Sequence, residues 1–192
     1  MKPKSAVFFD RDGVLNQALV VEGKPYPPKD VESLVITPGA RSLMMELKEL
    51  GFKLISVTNQ PDVARGTKTL ENVQAINEKV SFELSLDDIF VCLHDDGDDC
   101  SCRKPKPGML IAAAEKWNLD LPSSFMVGDR AGDVAAGRSA GCQTIFLDMG
   151  YKEPSPDPPA DHSCRSLFEA VQIIKGVAIH ERRARFESKV IR

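Results

Sequence analysis

Short apolar runs alternate with longer amphipathic stretches along most of the chain. Five largely apolar runs, none longer than six residues, lie at 6–9, 53–57, 88–93, 125–128 and 142–147. Runs this short that do not alternate polar and apolar positions are typical of strands buried on both faces, as in a parallel sheet. We therefore predict five central strands.

Helical periodicity fills the intervals between these strands. Thr37 and Pro38 have the form of an N-cap followed by proline, after which Leu43, Leu47 and Leu50 share one helical face. Further helices are predicted from about Thr69 to Leu86, from Pro107 to about Trp117, from Ala131 to Ala140 and from Ser166 to Lys175. This alternation predicts an α/β fold, a doubly wound parallel sheet with right-handed crossovers and helices on both faces.

The chain contains neither an internal repeat nor a linker, which predicts one domain over residues 1–176 followed by a tail over 177–192. The tail has no clear pattern, so a helix, an interface arm and disorder all remain open for it. Residues 13–38 and 87–106 are too short to form a separate cap domain, and we expect loops there. An open site is therefore predicted.

Charge and hydropathy exclude several classes of protein. The formal net charge is −3 and the pI about 5.7, which disfavours wholesale binding of nucleic acid. No apolar run approaches the roughly 20 residues that span a bilayer, and the apolar run near the N-terminus is too short for a signal peptide. We therefore predict a cytoplasmic protein without a membrane partner. The sequence does not reveal its oligomeric state, and a monomer is favoured.

Polar residues follow three of the predicted strands. Asp10, Thr58 and Asp129 each come directly after an apolar run. Ligands bind at the carboxyl edge of open parallel sheets, so these side chains should meet in one crevice. Carboxylates combined with phosphate and water suit Mg²⁺, which makes a divalent cation a candidate occupant.

Asp10 and Asp12 lie two residues apart, and Gly13 follows them. Two carboxylates this close are suited to different roles, one as a nucleophile and the other as a general acid and base. Asp-Gly pairs are also common turn formers, so the tetrapeptide DRDG alone leaves a simple turn as the alternative.

Four segments together resemble the haloacid dehalogenase superfamily of phosphotransferases. FFDRDGVLN, SVTNQ, KPKPG and VGDRAGD occur in the family's order within residues 6–150. The resemblance implies that Asp10 is the nucleophile that accepts the phosphoryl group. It implies that Asp12 is the general acid and base, and that its main-chain carbonyl binds Mg²⁺.

The same resemblance assigns the remaining polar residues of the site. Thr58 and Asn59 are expected to hold the transferred phosphate, and Lys104 to neutralise its oxygens and orient the nucleophile. Asp129 is expected to complete the magnesium site, and Asp133 to support that site without binding the ion. Because the second aspartate of the first segment is present, the family pattern is that of a phosphatase.

A second cluster lies in CLHDDGDDCSCRKPKPG, which begins at Cys92. Cys92, His94, Cys100 and Cys102 offer three thiolates and one imidazole, the ligands of a closed, structural Zn²⁺ site. The alternative is that these cysteines are simply buried. The aspartates between His94 and Cys100 lack the spacing of a calcium loop, and we interpret them as a solvated turn.

The pattern C-X-H…C-X-C-R-K-P, together with TNQ…ARG, resembles a narrower group, the D,D-heptose 1,7-bisphosphate and histidinol-phosphate phosphatases. Arg65 and Arg103 then become candidates to bind a second phosphate or sugar hydroxyls, with surface charge as the alternative. The five-residue spacer is shorter than that group's usual one, and the segment VVEGKPYPPKD also departs from it. Histidinol phosphate or another small phosphomonoester remains open as the substrate. A protein of another class also remains open, namely a zinc-binding interaction protein built on an inactive scaffold.

Overall fold

In a computed structural model of the chain, the backbone is described for residues 4–190 and the side chains for residues 4–180. The centre is a six-stranded parallel sheet in the order β5-β4-β1-β6-β7-β8. Its strands are β1 (Ala6–Phe9), β4 (Lys53–Asn59), β5 (Asp88–Cys92), β6 (Phe125–Gly128), β7 (Gln143–Leu147) and β8 (His162–Cys164). A separate antiparallel pair consists of β2 (Leu19–Val21) and β3 (Lys24–Tyr26).

Five α-helices cover the two faces of the sheet in the described residues. They are α1 (Ala40–Glu49), α2 (Leu70–Leu84), α3 (Gly108–Trp117), α4 (Ala131–Ala140) and α5 (Leu167–Val190). Helices α1, α2 and α5 pack on one face, and α3 and α4 pack on the other. Strand β1 is apolar throughout because both of its faces are buried. The predicted doubly wound α/β fold is confirmed.

The prediction that residues 13–38 form only a loop is wrong, because they contain the β2–β3 hairpin. Glu22 and Gly23 form its two-residue turn, and both have positive φ angles, 53° and 85°. Glycine suits such a turn, and proline at Pro25 is tolerated because a two-stranded ribbon consists of edges. Strand β2 is exposed along its whole length, so it lacks the buried apolar face from which strands are predicted.

The C-terminal part differs from the prediction in two further ways. Strand β8 is a three-residue edge strand that follows a proline-rich loop, and it was not predicted. Helix α5 continues past Lys175 to Val190, so a helix is found over residues 177–190. The predicted division of the chain at residue 176 falls within this helix. Among residues 4–190, no helix is both long and apolar enough to cross a membrane.

Candidate active site

The parallel sheet brings together the polar residues at its carboxyl edge. Asp10 follows β1, Asp129 follows β6, and Thr58 lies near the end of β4. Because β1 pairs with β4 on one side and with β6 on the other, these residues occupy adjacent positions. All three are buried. The sequence predicted this convergence, and the structure has it.

Lys104 enters this group from the loop before α3. Its ammonium group donates to Asp10 Oδ1 at 2.8 Å and to the main-chain oxygen of Val57 at 2.7 Å. It also lies 2.6 Å from Asp133 Oδ1. Burial alone would lower the pKa of Lys104, but the carboxylates of Asp10 and Asp133 reverse that effect and raise it. Lys104 is therefore held as a cation between two anions.

Asp129 differs from its neighbours in having no hydrogen bond or ion pair among the described residues, although Arg130 and Lys104 act from a distance to lower its pKa. Both of its carboxylate oxygens are buried without a hydrogen bond of acceptable geometry in the described residues, although the Tyr151 side chain lies nearby. Gly13 makes room for it, because a Cβ at that position would lie 1.9 Å from Asp129 Oδ2. Gly13 also has a φ of 93°, which favours glycine. The fold thus creates space for a bare carboxylate.

The electrostatics of this cluster favour binding of a cation. Asp10, Asp129 and Asp133 each offer an oxygen, and these three atoms all lie within 4.8 Å of one another. Burial raises the pKa of Asp10 to about 6, although Lys104 acts in the opposite direction. Burial and the neighbouring carboxylates raise the pKa of Asp129 well above its usual value. Three carboxylates face one ammonium, and oxygen ligands of this kind suit Mg²⁺.

Asp12 lies in a different electrostatic environment. Arg11 donates to both of its oxygens, at 3.1 and 2.8 Å, while Asn16 and Gln60 donate at 3.1 and 2.8 Å. Burial opposes ionisation of Asp12, yet Arg11 and these hydrogen bonds together lower its pKa. The two neighbouring aspartates therefore have pKa values shifted in opposite directions, which suits different chemical roles.

Thr58 and Asn59, the two predicted phosphate ligands, make different contacts. Thr58 Oγ1 accepts a hydrogen bond from Gln60 Nε2 at 2.9 Å. Asn59 pairs instead with the main chain of Lys104: its Nδ2 donates to Lys104 O at 3.0 Å, and its Oδ1 accepts from Lys104 N at 3.1 Å. In this structure, Asn59 fixes the loop that carries Lys104.

A cavity of about 410 Å³ opens to the surface from the predicted catalytic cluster, which consists of Asp10, Asp12 and Lys104. Asp10, Asp12 and Lys104 lie among its lining residues, as do Thr58 and Asn59. Three arginines also line this cavity: Arg65, Arg103 and Arg130. The structure thus brings the two predicted arginines into the same cavity as the catalytic cluster and adds a third.

The loop after β5 gathers the predicted zinc ligands. Cys92 Sγ lies 3.3 Å from Cys102 Sγ and 3.9 Å from Cys100 Sγ. His94 Nδ1 is 3.5 Å from Cys92 Sγ and 3.3 Å from Cys102 Sγ. Ligands of a tetrahedral zinc ion with Zn–S bonds near 2.3 Å are separated by roughly 3.8 Å. The cluster therefore has a donor set and a size that fit zinc.

The aspartates of this loop do more than form a solvated turn, so that interpretation was incomplete. Asp95 and Asp96 both accept hydrogen bonds from Arg65, and Asp96 also accepts two from Arg103. Asp98 behaves as a turn residue, since its side chain caps the main-chain N–H of Asp95 at 2.8 Å. The first two aspartates bind the arginines of the cavity.

Sequence reasoning missed three residues of the site. Arg11 is fully buried and joins Asp12 to α2 through Asn77, at 2.6 Å. Gln60 bridges Asp12 and Thr58. Arg130 donates to Pro25 O at 2.8 Å and lies 3.2 Å from Glu153. All three belong to the family segments quoted above, so their presence was visible, but their contacts depend on the tertiary fold.

The comparisons with known proteins agree with the fold. A family model of haloacid dehalogenase-like hydrolases matches residues 19–141. The chain therefore belongs to the haloacid dehalogenase-like hydrolases, and the predicted family is confirmed.

Relatives of narrower function match almost the whole chain. The D-glycero-beta-D-manno-heptose-1,7-bisphosphate 7-phosphatase of Escherichia coli (strain K12) is 34% identical over 188 residues, covering 91% of this chain and 95% of the relative. The enzyme of the same name from Helicobacter pylori (strain ATCC 700392 / 26695) is 33% identical over 181 residues, covering 91% of this chain and 100% of the relative.

Solved structures agree with these relatives. The D,D-heptose 1,7-bisphosphate phosphatase from B. bronchiseptica, complexed with magnesium and phosphate, superimposes with a TM-score of 0.75 at 26% identity. That match covers 90% of this chain and 98% of the other. A HAD-like phosphatase from Mesorhizobium loti also gives a TM-score of 0.75, at 28% identity, covering 92% of this chain and 88% of the other.

Proposed function

We propose that this chain is a Mg²⁺-dependent phosphatase that hydrolyses D-glycero-D-manno-heptose 1,7-bisphosphate through an aspartyl-phosphate intermediate. The observation that carries the proposal is the buried pairing of Asp10 with Lys104 at the inner end of the cavity, beside the separately held Asp12. Phosphoryl transfer requires a positioned nucleophile and neutralisation of the phosphate oxygens, and this arrangement supplies both. The names of the relatives supply the substrate.

In the first step, a carboxylate oxygen of Asp10 forms a bond to phosphorus while the bond to the leaving alkoxide breaks. Asp12 donates its proton to that alkoxide. Since Arg11 and its neighbours keep Asp12 ionised in the free protein, Asp12 takes up this proton from the solvent as the anionic substrate enters. Asp10 then carries the phosphoryl group.

In the second step, Asp12 acts as a base. It removes a proton from a water molecule, and the water oxygen attacks phosphorus while the bond to Asp10 breaks. Inorganic phosphate leaves, and Asp10 returns to its carboxylate form. Lys104 and the hydroxyl group of Thr58 contribute positive and donor groups beside the phosphoryl oxygens throughout.

The carboxylate cluster fits a magnesium ion because the bare, buried Asp129 lies beside Asp10. We assign Asp10, Asp129 and the main-chain carbonyl of Asp12 as ligands, with Asp133 supporting the site through Lys104. When bound, the ion neutralises the negative charge of the phosphate and the nucleophile, so that two anions can approach each other. Magnesium is present in the B. bronchiseptica relative.

We further propose that Cys92, His94, Cys100 and Cys102 hold a structural Zn²⁺ ion. Four protein ligands leave no open coordination position for a substrate, so this ion shapes the loop rather than reacting. Lys104 follows the last ligand by two residues, and a fixed loop therefore fixes one catalytic group.

Arg65 and Arg103 are proposed to contact the part of the substrate beyond the transferred phosphate. Both line the cavity that contains the catalytic carboxylates. We place the enzyme in the cytoplasm, where zinc-binding thiols remain reduced. We expect it to act as a monomer without nucleic-acid or membrane partners.

The test is phosphate release from a panel that contains the heptose bisphosphate, simpler sugar phosphates and histidinol phosphate, each with Mg²⁺ and with a chelator. We expect Mg²⁺-dependent hydrolysis, with the highest kcat/KM for the heptose bisphosphate. A higher kcat/KM for histidinol phosphate would instead establish the alternative substrate. No hydrolysis of any compound by the zinc- and Mg²⁺-loaded protein would favour the interaction protein on an inactive scaffold.

A further inference from the structure

The spacer between His94 and Cys100 contains a carboxylate shared by two arginines. Asp96 Oδ1 accepts from Nε and Nη2 of Arg103, at 2.9 and 2.7 Å. Asp96 Oδ2 accepts from Nη2 of Arg65 at 3.1 Å. One side chain of the cysteine loop therefore bridges both arginines that line the cavity.

The bridge addresses a specific electrostatic difficulty. Two guanidinium groups close together repel each other, and long arginine side chains lose conformational entropy when they are fixed. Asp96 compensates for the repulsion: it occupies the Nε/Nη2 edge of Arg103 and accepts one further bond from Nη2 of Arg65. Each arginine also has a second anchor, since Arg103 donates to His94 O at 3.3 Å and Arg65 pairs with Asp95.

The two arginines and their anchor differ in exposure. The side chain of Asp96 is 75% exposed and that of Arg103 is only 17% exposed. Asp96 therefore acts from the outside of the rim, where it orients the more buried Arg103 and also Arg65, whose side chain is 41% exposed. Asp96 bonds to Arg65 and Arg103, so we expect it to affect substrate binding. Other residues carry out the chemical step.

We propose that Asp96 is a positioning residue that sets substrate discrimination by holding Arg65 and Arg103 together at the rim of the cavity. This inference rests on the proposed function of the two arginines as contacts to the extended part of the substrate. A small phosphomonoester reaches the catalytic cluster without needing those contacts. The consequence of losing Asp96 therefore depends on the size of the substrate.

The experiment compares Asp96→Ala with the wild type on the heptose bisphosphate and on p-nitrophenyl phosphate, both with Mg²⁺. We expect KM for the bisphosphate to rise about fivefold at nearly constant kcat. For p-nitrophenyl phosphate, kcat/KM should change less than about twofold. Asp96→Glu, which keeps the carboxylate, should recover part of the loss.

Asp99→Ala is the matched control. Asp99 belongs to the same acidic turn, is fully exposed and pairs with Lys106 at 3.1 Å. The control removes the same charge from the same turn without touching the rim arginines, so both substrates should be hydrolysed as by the wild type. An Asp96→Ala variant that behaves like Asp99→Ala overturns the inference. So does an equal loss on both substrates accompanied by loss of zinc, which assigns Asp96 to loop stability alone.

The double variant Arg65→Ala/Arg103→Ala separates this inference from the proposed function. If it loses discrimination while Asp96→Ala does not, the inference fails and the role of the arginines stands. If neither variant changes discrimination, the role of the arginines fails and the inference fails with it. If Asp96 acts through the arginines, adding Asp96→Ala to the double variant changes nothing further.

Discussion

The carboxylate cluster and the cysteine cluster obtain their geometry in opposite ways. Asp10, Asp129 and Asp133 lie far apart in sequence and are brought together by parallel strands and the start of α4. The cysteine cluster lies within eleven residues of chain: Cys92 ends β5, and the other three ligands lie in the loop between β5 and α3. The first cluster receives its shape from the sheet, whereas in the second only Cys92 is held by a strand and the other three ligands lie on an irregular loop.

The electrostatics of the two clusters differ accordingly. The carboxylates are all buried, and the oxygens of Asp129 have no hydrogen-bond partner among the described residues, so the fold itself holds an unfavourable arrangement of charge. The ligands of the cysteine cluster, apart from Cys92, are partly exposed. We infer that a cation at the first cluster reduces an existing electrostatic repulsion between carboxylates, whereas an ion at the second holds the loop in one conformation. Removing each ion should therefore have a different result.

The largest effect should come from Asp10→Asn, which tests whether the carboxylate cluster is the reacting centre. An amide cannot form the aspartyl phosphate, so kcat should fall by at least about 10⁴-fold. Phosphate release with saturating Mg²⁺ measures this. The matched control is Asp148→Asn, since Asp148 is exposed and follows β7 in the same way. Activity of Asp10→Asn above a tenth of the control would refute the proposed chemistry.

Asp129→Asn should separate function from stability within the same cluster. Activity should fall by about 10³-fold because the proposed magnesium site loses a ligand. In chelator, the free energy of unfolding should instead rise by about 1–3 kcal/mol, since an unpartnered buried carboxylate is removed. Urea denaturation with EDTA measures the second effect. A less stable variant would show that the fold had already compensated the charge of Asp129.

The cysteine cluster is tested by Cys102→Ser. Zinc content should fall, and activity should fall by about 10²-fold, because a displacement of about 1 Å in a catalytic group such as Lys104 has this effect. Cys164→Ser is the control, since Cys164 is a buried thiol outside the cluster. Metal analysis and phosphate release are measured on both variants. Full activity in zinc-free Cys102→Ser would show that zinc in this loop is not needed to position Lys104.

The smallest effect should be a pH dependence of the free energy of unfolding, and it should occur only in the metal-free protein. Burial raises the pKa of Asp10 from 3.8 to about 6, so the folded chain keeps a proton that the unfolded chain releases. The contribution of Asp10 to stability is therefore complete below about pH 4 and is lost as the pH rises through 6. The loss is at most about 3 kcal/mol.

Urea denaturation in EDTA between pH 4 and 7 measures this dependence as the difference between wild type and Asp10→Asn. Saturating Mg²⁺ should abolish the difference in slope. If the wild type instead became more stable relative to Asp10→Asn as the pH rises from 4 to 7, the predicted direction of the pH dependence would be wrong.

The parts of the fold that could be predicted were those with a strong local signal. Strand β1 is buried on both faces and reads as an uninterrupted apolar run, and Asp10 directly follows it. The β2–β3 hairpin could not be found this way, because exposed strands carry little hydrophobic pattern. The only available sequence signal for this hairpin was its two-residue turn, Glu22 and Gly23.

The polar contacts of the site were harder to predict than its residues. The segment DRDG identifies Asp10 and Asp12, but Arg11 between them reads as a surface residue until the fold places Asn77 beside it. The acidic turn likewise reads as solvated, since Arg65 lies on the loop after β4 that the sheet brings near, and Arg103 meets Asp96 only when the cysteine loop has folded. Long-range pairings of charged residues have no local sequence signal.

The reciprocal bonds between Asn59 and the main chain of Lys104 have a consequence for divergence. The lysine is fixed from β4 as well as from the cysteine ligands that precede it, so its position depends less on the five residues between His94 and Cys100. Residues in that spacer can be inserted, deleted or exchanged while the reaction itself is preserved. Changes in this spacer can therefore alter substrate preference during evolution while the mechanism of phosphate hydrolysis stays the same.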